Sequence, residues 1–164
     1  MTEQLFSFEP VLPETPKALI LGSMPGGVSL KKKEYYGNPR NHFWQIIYGL
    51  FNKEMDRQYE DKIAFIKNHH IALWDIIGRC YREGSLDKNI VDEQPNDING
   101  LLNEHPSIRL IACNGSKSYD TFRRYFKPNQ ANVIKLPSTS PIPGRYTKSF
   151  NEKFEEWKQI LDYL

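Results

Sequence analysis

Cysteine is scarce: Cys80 and Cys113 are the only two in 164 residues. Two cannot make a disulfide framework, and no Cys-x-x-Cys or His-x-x-x-His spacing accompanies them to suggest zinc. Both lie in apolar company and read as small core residues. Long apolar runs are also missing. The longest, Ala18 to Leu21, is far too short to cross a bilayer. The opening MTEQLFSFEP has no basic stretch leading into an apolar one, so no secretion signal is read and the expected compartment is the cytoplasm. Charge of one sign is lacking too: a net charge of +2 gives no electrostatic case for nucleic acid from the total alone. Lys31-Lys32-Lys33, and Arg123-Arg124 with Lys127, are local basic runs, and a basic triplet usually belongs to a solvated loop. Repeats and linkers are absent, so residues 1–164 are expected to form one domain, and nothing demands more than a monomer.

What is present alternates. Short apolar runs ending in polar or glycine residues read as buried strands at Lys17–Gly22, Ile71–Asp75, Arg109–Cys113 and Asn132–Leu136. Helical spacing marks Asn41–Phe51, Glu60–Asn68, Ser118–Phe126 and Ser149–Leu164, and a shorter helix falls within Pro95–His105. Gly78–Asn99 carries several turn formers and weak periodicity, and is expected to be a long connection. Strands alternating with helices predict an α/β fold, a three-layer α/β/α sandwich around a central four-stranded parallel sheet. In such sheets ligands bind beyond the carboxyl ends of the strands. The informative residues fall there: Gly22-Ser-Met-Pro-Gly26, Asp75, Asn114-Gly115 and Pro137-Ser-Thr-Ser-Pro141.

Three segments carry a resemblance. Leu21-Gly-Ser-Met-Pro-Gly26 is a strand followed by Gly-x-x-Pro-Gly. Tyr35-Tyr-Gly-Asn-Pro-Arg-Asn-His-Phe-Trp44 enters the next helix, and Leu136-Pro-Ser-Thr-Ser-Pro141 is a late Pro-Ser loop. In this order, and at these strand ends, the chain resembles the uracil-DNA glycosylase superfamily across nearly its whole length. Mismatch-specific members carry an asparagine just before the first-motif proline, where this chain has Met24. The pattern is instead similar to the hypoxanthine (deoxyinosine) DNA glycosylase branch, in which an asparagine of the second motif takes over catalysis. The resemblance assigns that role to Asn41, with Asn38 as the alternative.

The implied partner is DNA containing a deaminated base, with hydrolysis of its N-glycosidic bond after the nucleotide is flipped from the stack. An asparagine suits the chemistry, because its carbonyl orients water while its amide donates; capping the following helix is the other reading of Asn41. His42 could donate to the base or a phosphate, or simply lie on the surface. Gly22, Ser23, Met24, Tyr36, Phe43, Asp75 and Asn114 are the expected base pocket. Tyr36 and Phe43 are candidates to stack on the base. Asp75 would accept N1–H of hypoxanthine, the alternative being a cap for the chain at Ile76-Ile77. Asn114 lines the same pocket or serves as a turn residue. Ser138, Thr139 and Ser140 are expected to hold phosphate oxygens, Ile142 or Arg145 to enter the hole left by the base, and Arg145 and Lys148 to contact phosphates. The lysines occur in exposed-looking runs, so no Schiff-base lyase is expected. A four-iron cluster, found in some relatives, needs more cysteines than the chain has, and no cofactor or metal is expected. Uracil or a G·U mismatch is the alternative substrate. A non-catalytic DNA-binding module of the same fold is the alternative class, which Met24 favours; a free-nucleoside hydrolase has no use for the late loop.

Overall fold

The computed structural model describes residues 3–127, 130–141 and 148–164. Their elements run β1 (Gln4–Phe6), β2 (Ala18–Gly22), α1 (Gly27–Lys32), α2 (Phe43–Leu50), α3 (Tyr59–Asn68), β3 (Ile71–Asp75), β4 (Ile77–Tyr81), β5 (Val91–Pro95), α4 (Ile98–Glu104), β6 (Leu110–Asn114), α5 (Ser116–Tyr125), β7 (Asn132–Leu136) and α6 (Phe150–Trp157). The main sheet has the order β3-β2-β6-β7, and each neighbouring pair is parallel.

The central strand β2 is buried along its whole length, and strand alternation divides it between two cores. Ala18 and Ile20 pack with Ile46 and Ile47 of α2, Ile66 of α3 and Trp157 of α6. Leu19 and Leu21 pack with Ile98 and Leu102 of α4 and Phe122 of α5. Helices therefore cover both faces, giving the expected three layers. Cys80 and Cys113 are buried, free thiols. No helix among the described residues is long and apolar enough to cross a membrane.

The structure departs from the sequence reading in three places. Gly78–Asn99 is not a plain connection: β4 and β5 join β1 in a second sheet, antiparallel, in the order β1-β4-β5. Register shifts between Ile77 and Arg79 and between Arg79 and Tyr81 break the alternation that would have announced a strand, and β5 is mostly exposed and polar. Lys31 and Lys32 lie not in a loop but in the last turn of α1, where cations complement the helix dipole; Lys33 closes that helix at φ +59°. The last helix begins at a capping box between Ser149 and Glu152, but tightens into 3₁₀ turns over Lys158–Tyr163.

Candidate active site

A cavity of about 350 Å³ opens at the carboxyl edge of the main sheet, within the ~300–1,000 Å³ range of small-molecule sites. Its floor is Gly22, Asp75 and Asn114, the last residues of β2, β3 and β6. Tyr36, Asn38 and Asn41 form one wall, Ser85, Leu86 and Asp87 face them, and Ser138 to Pro141 make the lip. The opposing wall comes from the chain between β4 and β5, which sequence reasoning had treated as a connection.

Asp75 is the unusual group here. It is only 4% exposed, and its Oδ2 is buried without a hydrogen-bond partner among the described residues. The capping alternative does not hold, because the N–H groups of Ile76 and Ile77 donate to the carbonyls of Gly22 (2.8 Å) and Ser23 (3.1 Å). Burial pushes the Asp75 carboxyl up to about 7, with Asp87 adding to the effect and Arg82 opposing it. A buried acid kept without partners is a strained arrangement that a ligand donor would relieve. Gly22 is required beside it: a Cβ there would run into Asp75 Oδ1 and lie 3.3 Å from the Tyr36 hydroxyl.

Tyr36 stands on the wall at φ +54°, a left-handed conformation unfavourable for a bulky residue. It is held by stacking on Phe43, with ring centroids 3.8 Å apart, and by Asn114 Nδ2, which donates to its hydroxyl at 3.3 Å. Phe43 is fully buried and lies behind Tyr36 rather than on the cavity surface, so the structure gives it the support of the stacking ring instead of contact with a base. Asn114 is similarly committed. Its Oδ1 accepts from the Thr139 N–H (3.0 Å) and its Nδ2 donates to Thr139 Oγ1 (3.0 Å). The left-handed turn belongs to Gly115 at φ +94°, leaving Asn114 as the strand-end residue that ties the late loop to Tyr36.

Both asparagines reach the cavity, and both side-chain carbonyls are engaged. Asn41 Oδ1 accepts from Phe43 N–H at 2.9 Å, so it satisfies the first N–H of α2 from the residue before the N-cap, His42, and Asn38 Oδ1 accepts from Arg40 N–H at 3.0 Å. Each Nδ2 is without a partner among the described residues. The first-motif loop is clamped from the β4–β5 side. Arg82, 4% exposed, donates through Nη2 to the Pro25 carbonyl at 2.7 Å; Ser85 Oγ accepts from Gly27 N–H at 2.8 Å, and Ser23 Oγ donates to Asp87 at 2.8 Å. Met24 borders the cavity with an apolar side chain 7% exposed and packed into the core of Ile76 and Ile77, so it offers the site only van der Waals contact.

A family model described as the uracil DNA glycosylase superfamily matches residues 9–164. This chain belongs to that superfamily. A Methanosarcina acetivorans relative named hypoxanthine DNA glycosylase is 37% identical over 155 residues, covering 94% of this chain and 96% of the relative. A Methanosarcina barkeri protein of the same name is 38% identical over 112 residues, or 68% of this chain and 71% of that one. The solution structure of a Methanosarcina acetivorans protein, solved as a candidate uracil DNA glycosylase, superposes with a TM-score of 0.79 at 35% identity, covering 98% of this chain and 99% of the other.

In this superfamily member the expected DNA-facing residues are unevenly placed. Ser138 is exposed on the lip and Ser140 is partly exposed. Thr139 is 1% exposed, and its hydroxyl and N–H are both engaged by Asn114, so it shapes the loop from inside instead of meeting phosphate. The Ser140 N–H is taken by Ser138 Oγ at 3.1 Å. Lys148 forms an exposed ion pair with Glu156 at 2.5 Å and does not border the cavity, so phosphate contact there requires exchanging that partner. Ile142 and Arg145 lie outside the described residues. Sequence reasoning also missed Arg82 and Lys153. Lys153 is 3% exposed, which overturns the premise that every lysine is solvated, although it does not line the cavity. Its signal was available: Phe150, Lys153, Phe154 and Trp157 share one helical face.

Proposed function

We propose that this protein is a monofunctional DNA glycosylase that removes a deaminated base, hypoxanthine first, from a nucleotide flipped out of DNA. The observation that carries the reading is the buried Asp75 carboxyl on the cavity floor, whose Oδ2 has no hydrogen-bond partner among the described residues; the relatives' names support it. A carboxylate accepts N1–H of hypoxanthine through one oxygen, while its second oxygen faces the C2–H. In uracil and xanthine the corresponding N–H lies between two carbonyls, which the second oxygen repels. Guanine offers a better edge, but its normal pair makes flipping costlier than for a mismatched or damaged base. Tyr36 supplies the stacking surface. Asn41 provides a donor to the water or the departing base, its carbonyl fixed by Phe43 N–H but retaining a second lone pair for water. Asn38 is the alternative for that role. Bond breaking is dissociative, so such a site acts by placement and by stabilising the charge that develops on the base.

The direct test is incubation with matched duplexes carrying one deoxyinosine or one deoxyuridine, then alkali to reveal abasic sites. The expected result is cleavage at inosine with little at uridine, and none at either before alkali. Release of uracil alone would overturn the substrate assignment; tight binding without release would return the reading to a non-catalytic module.

A Gly22→Ala variant supplies a second expectation. The added methyl displaces Asp75 and crowds Tyr36, so kcat/KM on inosine should fall by about tenfold or more, as expected for misplacement of a positioned group. Excision kinetics at fixed pH, with a thermal melt to verify folding, decide this.

A further inference from the structure

Behind the lip of the cavity a cation is held almost out of water. Lys153 Nζ lies 3.4 Å from His42 Nδ1 and 3.5 Å from the Ser140 carbonyl, and no carboxylate pairs with it among the described residues. These are long contacts for a buried ammonium, whose charge is costly to leave uncompensated. An ammonium only donates, so Nδ1 must accept and the His42 proton resides on Nε2. That nitrogen has no partner among the described residues and is not a buried orphan.

Among the described residues no anion acts on His42. Phe150 of α6 meets the ring edge-on at 5.2 Å. The late loop presents the Thr139 carbonyl, which accepts the His42 N–H at 3.0 Å, and Ser140; Asn41 precedes it in the chain. Burial, and after it Lys153, the one charged group acting on the imidazole among the described residues, hold His42 below the usual histidine range. His42 leads into α2, whose first-turn N–H groups add positive potential. Three elements thus meet at a neutral donor backed by a cation, one residue from Asn41.

We infer that Lys153 and His42 together grip the DNA backbone: the buried ammonium fixes His42 as a neutral Nε2–H donor to a phosphate oxygen beside the flipped nucleotide. Lys153 is then a positioning residue that supplies charge from behind without touching DNA. The inference rests on the reading that the ligand is DNA, but not on any base being released.

The test uses duplex bearing a tetrahydrofuran abasic analogue, which reads binding without turnover. Lys153→Met and His42→Phe should each weaken binding about tenfold, as for loss of a charge-assisted hydrogen bond, and the double variant should be no weaker than either single one. His42→Gln, which retains a donor, should recover most of the affinity. Lys153→Met should reduce the salt slope by about one without lowering the melting temperature, since it removes an unpaired buried charge. In the free protein, NMR titration should find the His42 ring becoming protonated at a higher pH in Lys153→Met than in the parent, because the burial that also lowers it remains while the repelling cation is gone, with Lys153→Arg restoring the parent behaviour. An unmoved His42 titration in Lys153→Met, or unchanged affinity in both single variants, overturns the grip while leaving base excision intact. Coupled binding loss in a protein that releases no base would instead sink the proposed activity and preserve the grip.

Discussion

Asn41→Ala is expected to reduce base release by about two to three orders of magnitude in kcat, the usual scale for losing a preorganised polar group at the reacting centre. Affinity for an abasic-analogue duplex should change little. The two functions of Asn41 need separating, because its Oδ1 also satisfies Phe43 N–H, the first of α2, and loss of such a helix-start hydrogen bond costs about 1 kcal/mol. Asn41→Ser retains an oxygen for the Phe43 N–H but has no amide. If the amide is what the reaction requires, the serine variant should melt near the parent and still fail to turn over. Single-turnover excision with a melt for each variant makes the comparison. Should both variants excise at the parental rate while Asn38→Ala does not, the role passes to Asn38, whose side chain borders the same cavity.

Asp75→Asn is expected to make the protein more stable and a worse, less selective enzyme. In the folded state the carboxyl titrates at about 7, against about 3.9 in an unfolded chain. The folded state therefore binds more protons between those values, and stability falls as pH rises through roughly 4 to 7. Above that window the ionised carboxyl is a full cost, on the order of 2–4 kcal/mol. Asparagine removes the titration, so the variant should melt higher than the parent at pH 8 and close to it near pH 3. Calorimetry at the two pH values would show this; equal differences at both would contradict it.

The functional consequence has the opposite sign. Because the carboxylate is the form that accepts N1–H, kcat/KM on inosine should climb through about pH 7 in the parent and level above it. In Asp75→Asn the climb should vanish, and the plateau should drop by roughly 10- to 100-fold, as for loss of a hydrogen bond to a charged group. The amide also offers a donor to a carbonyl, so the ratio of inosine to uridine excision should narrow. A parental profile flat from pH 5 to 9 would remove Asp75 from base reading.

Local order was legible along much of the chain. All four strands of the main sheet were placed within a residue at each end, because each is a short apolar run stopped by a polar residue or glycine. The principal helices were likewise marked by spacing. Asp75 and Asn114 were identifiable as site residues because the carboxyl edge of a parallel sheet gathers what lies at strand ends. Phe43 and Thr139 show the limit. Phe43, two residues from the cavity-lining Asn41, is wholly inside, and Thr139, although part of the lip, is almost fully buried with its polar groups turned to Asn114, since periodicity does not report which side of a helix start or loop faces a ligand. Lys153 shows the same limit in reverse: a lysine's long stem permits burial that composition argues against.

By itself, then, the sequence determined the alternation of strands and helices, the parallel sheet they imply, and the strand ends where polar groups would meet. Those properties follow from periodicity and turn chemistry, which act over a few residues. Tertiary structure alone decided that the chain between β4 and β5 would wall the cavity, that Asp75 Oδ2 would lie there without a hydrogen-bond partner among the described residues, and that Lys153 would reach His42 from more than a hundred residues away (|i−j| = 111). Burial and electrostatic coupling depend on distances in space, and no local pattern encodes them.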